Sequence, residues 1–135
     1  MYRASWDLCE EDVALKCMHT SDGQRTARFL QEIRRHASLN HPNVVRYYGV
    51  TFAPAPSDEA KHIPFCVMEL CAAGSLWRLL QSSRALSWLD RIDIALGCAC
   101  GMQYLHDYAK MAHLDLKSLN ILLSEQGSAK IAGKC

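Results

Sequence analysis

The chain has 135 residues, half of them hydrophobic, and a formal charge of +1, which suits one ordinary globular domain with a core. A charge so close to zero gives no electrostatic reason to expect nucleic acid or an anionic membrane as partner. The longest apolar stretch, around Ile94 to Met102, is too short to span a bilayer, and no secretory signal pattern opens the chain.

In chain order, Tyr2 to Trp6 reads as a strand and the acidic Asp7 to Asp12 as a hairpin loop. Val13 to Met18 is a second strand, apolar except for Lys16. After a turn at Ser21-Asp22-Gly23, the spacing of Phe29, Leu30, Ile33 and Ala37 predicts a helix, which Pro42 ends. Val44 to Phe52 is strand-like. Ala53 to Glu59 is predicted as a solvated loop, because its two alternate prolines disfavour regular structure. Ile63 to Leu70 is another strand, and Ala72 to Ser75 a small-residue turn before a short helix, Leu76 to Gln81. Ser87 and Asp90 have capping-box spacing and open a long helix to about Tyr108. Its apolar stripe is Ile92, Ala95, Leu96, Ala99 and Met102. Gly127 turns between two short strands, Ile121 to Leu123 and Ala129 to Ala132. Strands with one helix, followed by mostly helix, predict a two-lobed α+β arrangement.

The seven cysteines are odd in number and contain no C-x-x-C, and Cys98 and Cys100 are spaced for neither zinc nor a redox dithiol. Cys17, Cys66 and Cys71 lie in apolar runs, where cysteine acts as a small hydrophobe. A reducing cytoplasm is the expected compartment. The histidines show no metal-ligand spacing.

The segment His113-Leu114-Asp115-Leu116-Lys117-Ser118-Leu119-Asn120 carries the chemistry. It places an acid, a cation and an amide within six residues, ahead of the apolar run Ile121-Leu122-Leu123. Such a loop can set a base beside a hydroxyl, a lysine beside a phosphate and an amide oxygen on a metal. Phosphoryl transfer needs those three things, because its catalysis is mostly positioning and charge stabilisation. Lys16, in mid-strand, must reach an anion or water, since burying it unpaired is costly.

The loop resembles the catalytic loop of protein kinases, and Val13-Ala14-Leu15-Lys16 resembles their V-A-I-K strand. Cys66 to Leu76 looks like a kinase hinge, and His41 to Val50, Leu86 to His106 and His113 to Leu123 look like the tyrosine-kinase-like group of Ser/Thr kinases. The resemblance implies a partial kinase domain with a small lobe at 1–70, a hinge at 71–75 and the start of a helical lobe at 76–135. It implies ATP and Mg²⁺ as cofactors and a protein substrate. Asp115 would orient the substrate hydroxyl and take its proton, Lys117 would stabilise the transferring phosphate, and Asn120 would hold Mg²⁺. Lys16 would pair with Glu32. Met68 would be the gatekeeper, with backbone groups of Glu69 and Cys71 facing adenine. His113 would brace the activation segment. The Asp-Leu-Lys form favours Ser/Thr specificity.

The sequence departs from the family pattern in three places. Leu114 stands where the family has Arg, no Gly-rich loop precedes Tyr2, and Gly133-Lys134-Cys135 stands where Asp-Phe-Gly is expected. An incomplete gene model, weak or inactive as written, is therefore expected, with the stripe on the long helix partly uncovered. The alternative is a pseudokinase-type binding or regulatory module.

Overall fold

The computed structural model describes residues 2–6, 11–17, 31, 33, 36–55 and 58–133. They group into two compact units, one drawn from residues 1–39 and 46–70, the other from 40–45 and 71–134.

The first unit is an antiparallel sheet of four strands, β1 (Tyr2–Trp6), β2 (Glu11–Cys17), β3 (Tyr47–Ala55) and β4 (Asp58–Glu69), in the order β1-β2-β4-β3. Glu11 and Asp12, predicted as loop, belong to β2, where they face Trp6 and Ser5. The reason is a cross-strand ion pair: Arg3 Nε donates to Asp12 Oδ2 at 2.9 Å. The two residues are diagonal neighbours across the hairpin, and such a pair offsets the poor strand propensity of aspartate. The pair also raises the Arg3 pKa, chiefly through the hydrogen bond to Asp12.

The predicted loop at 53–59 is also corrected, because β3 runs through Pro54, which sits opposite His62. β3 is an edge strand, and there the missing proline N–H can face solvent and break no ladder. β3 begins at Tyr47 rather than Val44, which instead makes an isolated parallel bridge to Ile131. β4 is the interior strand between β2 and β3, so Phe65, Cys66 and Met68 are all buried. Ile63 and Phe65 form a core cluster with Leu15, Cys17 and Ala53. Gln31, Ile33, His36 and Ala37 are helical, and the buried His36 ring packs against Tyr47 with centroids 5.2 Å apart.

The second unit holds the helices α1 (Leu76–Gln81) and α2 (Trp88–Gln103) and a sheet of β5 (Gly74–Ser75), β6 (Ile121–Leu123) and β7 (Ala129–Ile131). Gly74 and Ser75, predicted as turn, form β5 because Leu123 and Leu122 of β6 supply their partners. Gly127, at φ 85°, turns between β6 and β7. Ser75 caps α1 by accepting from Arg78 N at 3.3 Å. Both bonds of the predicted capping box open α2: Ser87 Oγ accepts from Asp90 N at 3.1 Å, and Asp90 Oδ2 accepts from Ser87 N at 2.9 Å. After Gln103 the helix widens into a π-turn over Tyr104–Tyr108.

α2 buries Ile94, Gly97 and Gly101, whereas the predicted stripe is open to solvent: Ile92 is 59 % and Leu96 60 % exposed. The buried face is the one that lets the backbone approach most closely. A Cβ on Gly101 would lie 2.5 Å from the Asn43 carbonyl oxygen and 3.0 Å from Ile131, and one on Gly97 would lie 2.9 Å from Asn43 Nδ2. Asn43 is itself tied to β7: its Nδ2 donates to Ala129 O at 2.8 Å, and its carbonyl accepts from Ile131 N at 2.8 Å.

Candidate active site

The loop 113–120 is held at both ends by Ala132, the residue after β7. His113 Nε2 lies 2.9 Å from the Ala132 carbonyl oxygen, which can only accept, so Nε2 carries the proton. Nδ1 is then an acceptor, and Asp115 N donates to it at 3.4 Å. At the other end Asn120 N donates to Lys117 O at 2.8 Å, closing a 3₁₀ turn over Ser118–Asn120, and Ala132 N donates to Asn120 O at 2.8 Å.

Between these anchors the acid, the cation and the amide meet. Asn120 Nδ2 donates to the Asp115 carbonyl at 2.8 Å and to Asp115 Oδ2 at 3.0 Å. Lys117 Nζ reaches Asp115 Oδ1 at 3.1 Å and Oδ2 at 3.0 Å. The Asp115 side chain is 23 % exposed and that of Lys117 50 %, so the carboxylate is oriented by two donors and still reachable. With both acceptors on its nitrogen side, the Asn120 amide has its orientation fixed, and Oδ1 is its oxygen donor for a hard cation. Leu114, between His113 and Asp115, is held at φ 57° with 92 % of its surface exposed.

The other predicted site residues fall in or beside the first unit. β2 pairs with β4 so that Ala14 faces Met68 and Lys16 faces Cys66. By the alternation of strands, Lys16 and the buried Met68 therefore share one face of the sheet. Glu69 and Arg46 are linked twice: Glu69 N donates to the Arg46 carbonyl at 2.9 Å, and Glu69 Oε2 accepts from Arg46 N at 3.2 Å. Cys71 opens the second unit, buried, with its carbonyl accepting from Gly74 N at 3.0 Å. Glu32 lies outside the described residues. Sequence reasoning missed the Ala132 carbonyl that fixes His113, because a backbone acceptor leaves no side-chain signal.

Comparison with known proteins gives the family of the chain. A family model described as protein tyrosine and serine/threonine kinase matches residues 1–134. The chain belongs to that protein kinase family. It is 38 % identical over 127 residues to a C-type lectin receptor-like tyrosine-protein kinase of Arabidopsis thaliana, covering 90 % of this chain and 22 % of that protein. It is 34 % identical over 137 residues to the serine/threonine-protein kinase CTR1 of the same plant, covering 97 % of this chain and 16 % of that protein. With the serine/threonine-protein kinase dst1 of Dictyostelium discoideum the identity is 35 % over 123 residues, covering 89 % and 15 %. The chain thus spans less than a quarter of the length of each of these relatives. The solved structure of an apo pseudokinase superposes with a TM-score of 0.81 at 17 % identity, over 98 % of this chain and 48 % of that one. That likeness establishes the kinase-like α+β fold.

Proposed function

We propose that this chain carries the catalytic loop of a Ser/Thr protein kinase, which moves the γ-phosphoryl group of ATP to a protein hydroxyl. The observation that carries this reading is the cluster in which Lys117 and Asn120 both bond the Asp115 carboxylate. In this reading Asp115 accepts the proton of a substrate hydroxyl, a role typically worth about 10²–10⁴-fold in rate. Lys117, half exposed beside it, can turn its ammonium toward a transferring phosphate. Lys16 and the segment Met68, Glu69 and Cys71 are the residues we assign to ATP, with Glu32 the partner for Lys16 that the family resemblance implies.

Asn120 Oδ1 fits Mg²⁺, which favours oxygen donors and commonly shares its ligands between protein and nucleotide phosphates. The described residues hold no group of three His, Cys, Asp or Glu that could bind a metal without such help. The ion would neutralise charge on the phosphates. The Asp-Leu-Lys form, and relatives named as serine/threonine kinases, support Ser and Thr as acceptors. A cytoplasmic location is supported by the cysteine pattern, odd in number and without a C-x-x-C. Burial also pushes the Cys98 thiol up, as suits an inert cysteine. No described helix is long and apolar enough to cross a membrane.

The test is radiolabelled phosphate transfer by the full-length gene product to a general protein substrate, followed by phosphoamino-acid analysis. Phosphoserine or phosphothreonine that falls at least about 10²-fold in Asp115→Asn is the expected result. Equal turnover in wild type and Asp115→Asn would remove the role given to that carboxylate. A folded full-length protein without any transfer would favour the binding-module reading.

A further inference from the structure

The four-stranded sheet of the first unit has a cavity that the proposed chemistry does not use. By the alternation of strands, Val13 and Leu15 of β2 and Val67 of β4 share the face turned away from Lys16 and Met68. One row crosses the whole sheet on that face: Tyr2 faces Leu15, Leu15 faces Val67, and Val67 faces Gly49. Leu15 and Val67 stand on the two interior strands, yet both remain partly exposed, while Val13 and Phe65 beside them are buried. The face therefore loses its cover at one place.

That place is where the row ends on a residue without a side chain. β3 is bulged between Tyr47 and Gly49, and Gly49 takes φ 154°, a conformation that glycine adopts without penalty. Gly97 and Gly101 are explained by Asn43, which lies where their Cβ atoms would be, but a Cβ on Gly49 would meet nothing within 4 Å. A glycine inside a strand often marks a site where a ligand approaches the backbone closely.

The cavity beside Gly49 measures about 320 Å³, at the lower end of the range of specific ligand sites. Val13, Leu15 and Val67 line it, Tyr48 and Thr51 add hydroxyl-bearing side chains, and its described lining residues include no charged one. A charged ligand would lose hydration there without gaining a counter-charge, whereas a neutral apolar ring would take Leu15 and Val67 out of water. The open backbone at Gly49 gives a flat group room to lie on the strand. A protein partner would need a broader surface, about 800 Å² on each side.

We propose that this cavity binds a small, neutral, planar aromatic molecule carrying one hydroxyl or carbonyl group. The ring lies over Gly49 against Leu15 and Val67, and the polar group lies toward the hydroxyl-bearing side chains. Lys16 and Met68 are on the other face of the sheet, so the ligand does not compete with ATP.

Methyl-detected NMR of the 135-residue chain titrated with 2-naphthol tests this. Saturable shifts of the Leu15 and Val67 methyls are expected, half complete below about 1 mM, with intermolecular NOEs from the ring to both. Naphthalene-2-carboxylate, the same ring with a charge, should bind at least about tenfold more weakly. Val67→Phe and, separately, Ala4→Leu fill the cavity from different strands. Each should weaken 2-naphthol at least about tenfold while the melting temperature is kept. The proposal is overturned by no saturation at about 1 mM, by saturation without those NOEs, or by equal binding of the carboxylate. Displacement by Mg·ATP would also overturn it, as would wild-type affinity in either variant with an unchanged melt.

Discussion

Asn120 gives the loop 113–120 its shape, because the same amide nitrogen bonds the Asp115 backbone and the Asp115 carboxylate. Removing it with Asn120→Ala takes one donor from the Asp115 carbonyl and one from its carboxylate, which keeps Lys117. Hydrogen bonds to charged groups are worth about 1.5–3 kcal/mol. A loss of about 1–3 kcal/mol in a urea titration is therefore expected, beyond any effect on chemistry. Leu114 presents the opposite case. A non-glycine residue in the left-handed region costs about 1–2 kcal/mol, and this leucine, 92 % exposed, recovers little by burial. Leu114→Asn should accordingly raise stability by up to about 1 kcal/mol, since asparagine tolerates that region. A lower denaturation midpoint in Leu114→Asn would show that the leucine makes a contact that outweighs its backbone strain.

On the scale of elements, α2 combines a strong start with a close fit. Ser87→Ala removes the cap and should cost about 0.5–2 kcal/mol. It should also change the acid limb of stability. Ser87 holds the Asp90 carboxyl below its ordinary 3.8, first by its side-chain and then by its backbone hydrogen bond. A carboxylate lowered in the folded state contributes stability that is complete above its unfolded pKa and disappears as pH falls through the folded one. Melts recorded from pH 5 downward should therefore lose stability more steeply below about pH 4 in the wild type than in Ser87→Ala. Farther along the helix, Gly101→Ala forces a methyl to within 2.5 Å of the Asn43 carbonyl oxygen, a backbone atom anchored to β7. Overpacking of this kind costs about 1–3 kcal/mol or more, and Gly97→Ala, which meets a side-chain amide, should cost less. Equal melts for the two variants would mean that Asn43 yields at both points.

For the whole molecule, the conspicuous surface is the outward side of α2. Trp88, Leu89, Ile92 and Leu96 are 78, 68, 59 and 60 % exposed, and they recur along one helix face. Contiguous apolar surface of this kind leads to association when nothing covers it. The isolated chain should bind a dye for exposed apolar surface and elute larger than a monomer at high concentration. Ile92→Lys with Leu96→Glu should reduce both effects without lowering the melting temperature, because neither side chain supports the core. Monomeric elution of the unmodified chain, free of dye binding, would contradict this.

The sequence by itself determined those features whose signals are local. Ser87 and Asp90 announced the start of α2, the small-residue turn before Leu76 announced α1, and Gly127 marked the last hairpin. The acid, cation and amide of the loop 113–120 lie within six residues, so their meeting at Asp115 was legible in the sequence. Tertiary structure alone decided what depends on distant partners. Pro54 joins a strand because its neighbour across the sheet is His62 and its strand lies at the edge. Gly74 and Ser75 become a strand only because β6 passes beside them. The inward face of α2 is set by glycines, which carry no hydrophobic signal, because only there can Asn43 and β7 approach the helix backbone.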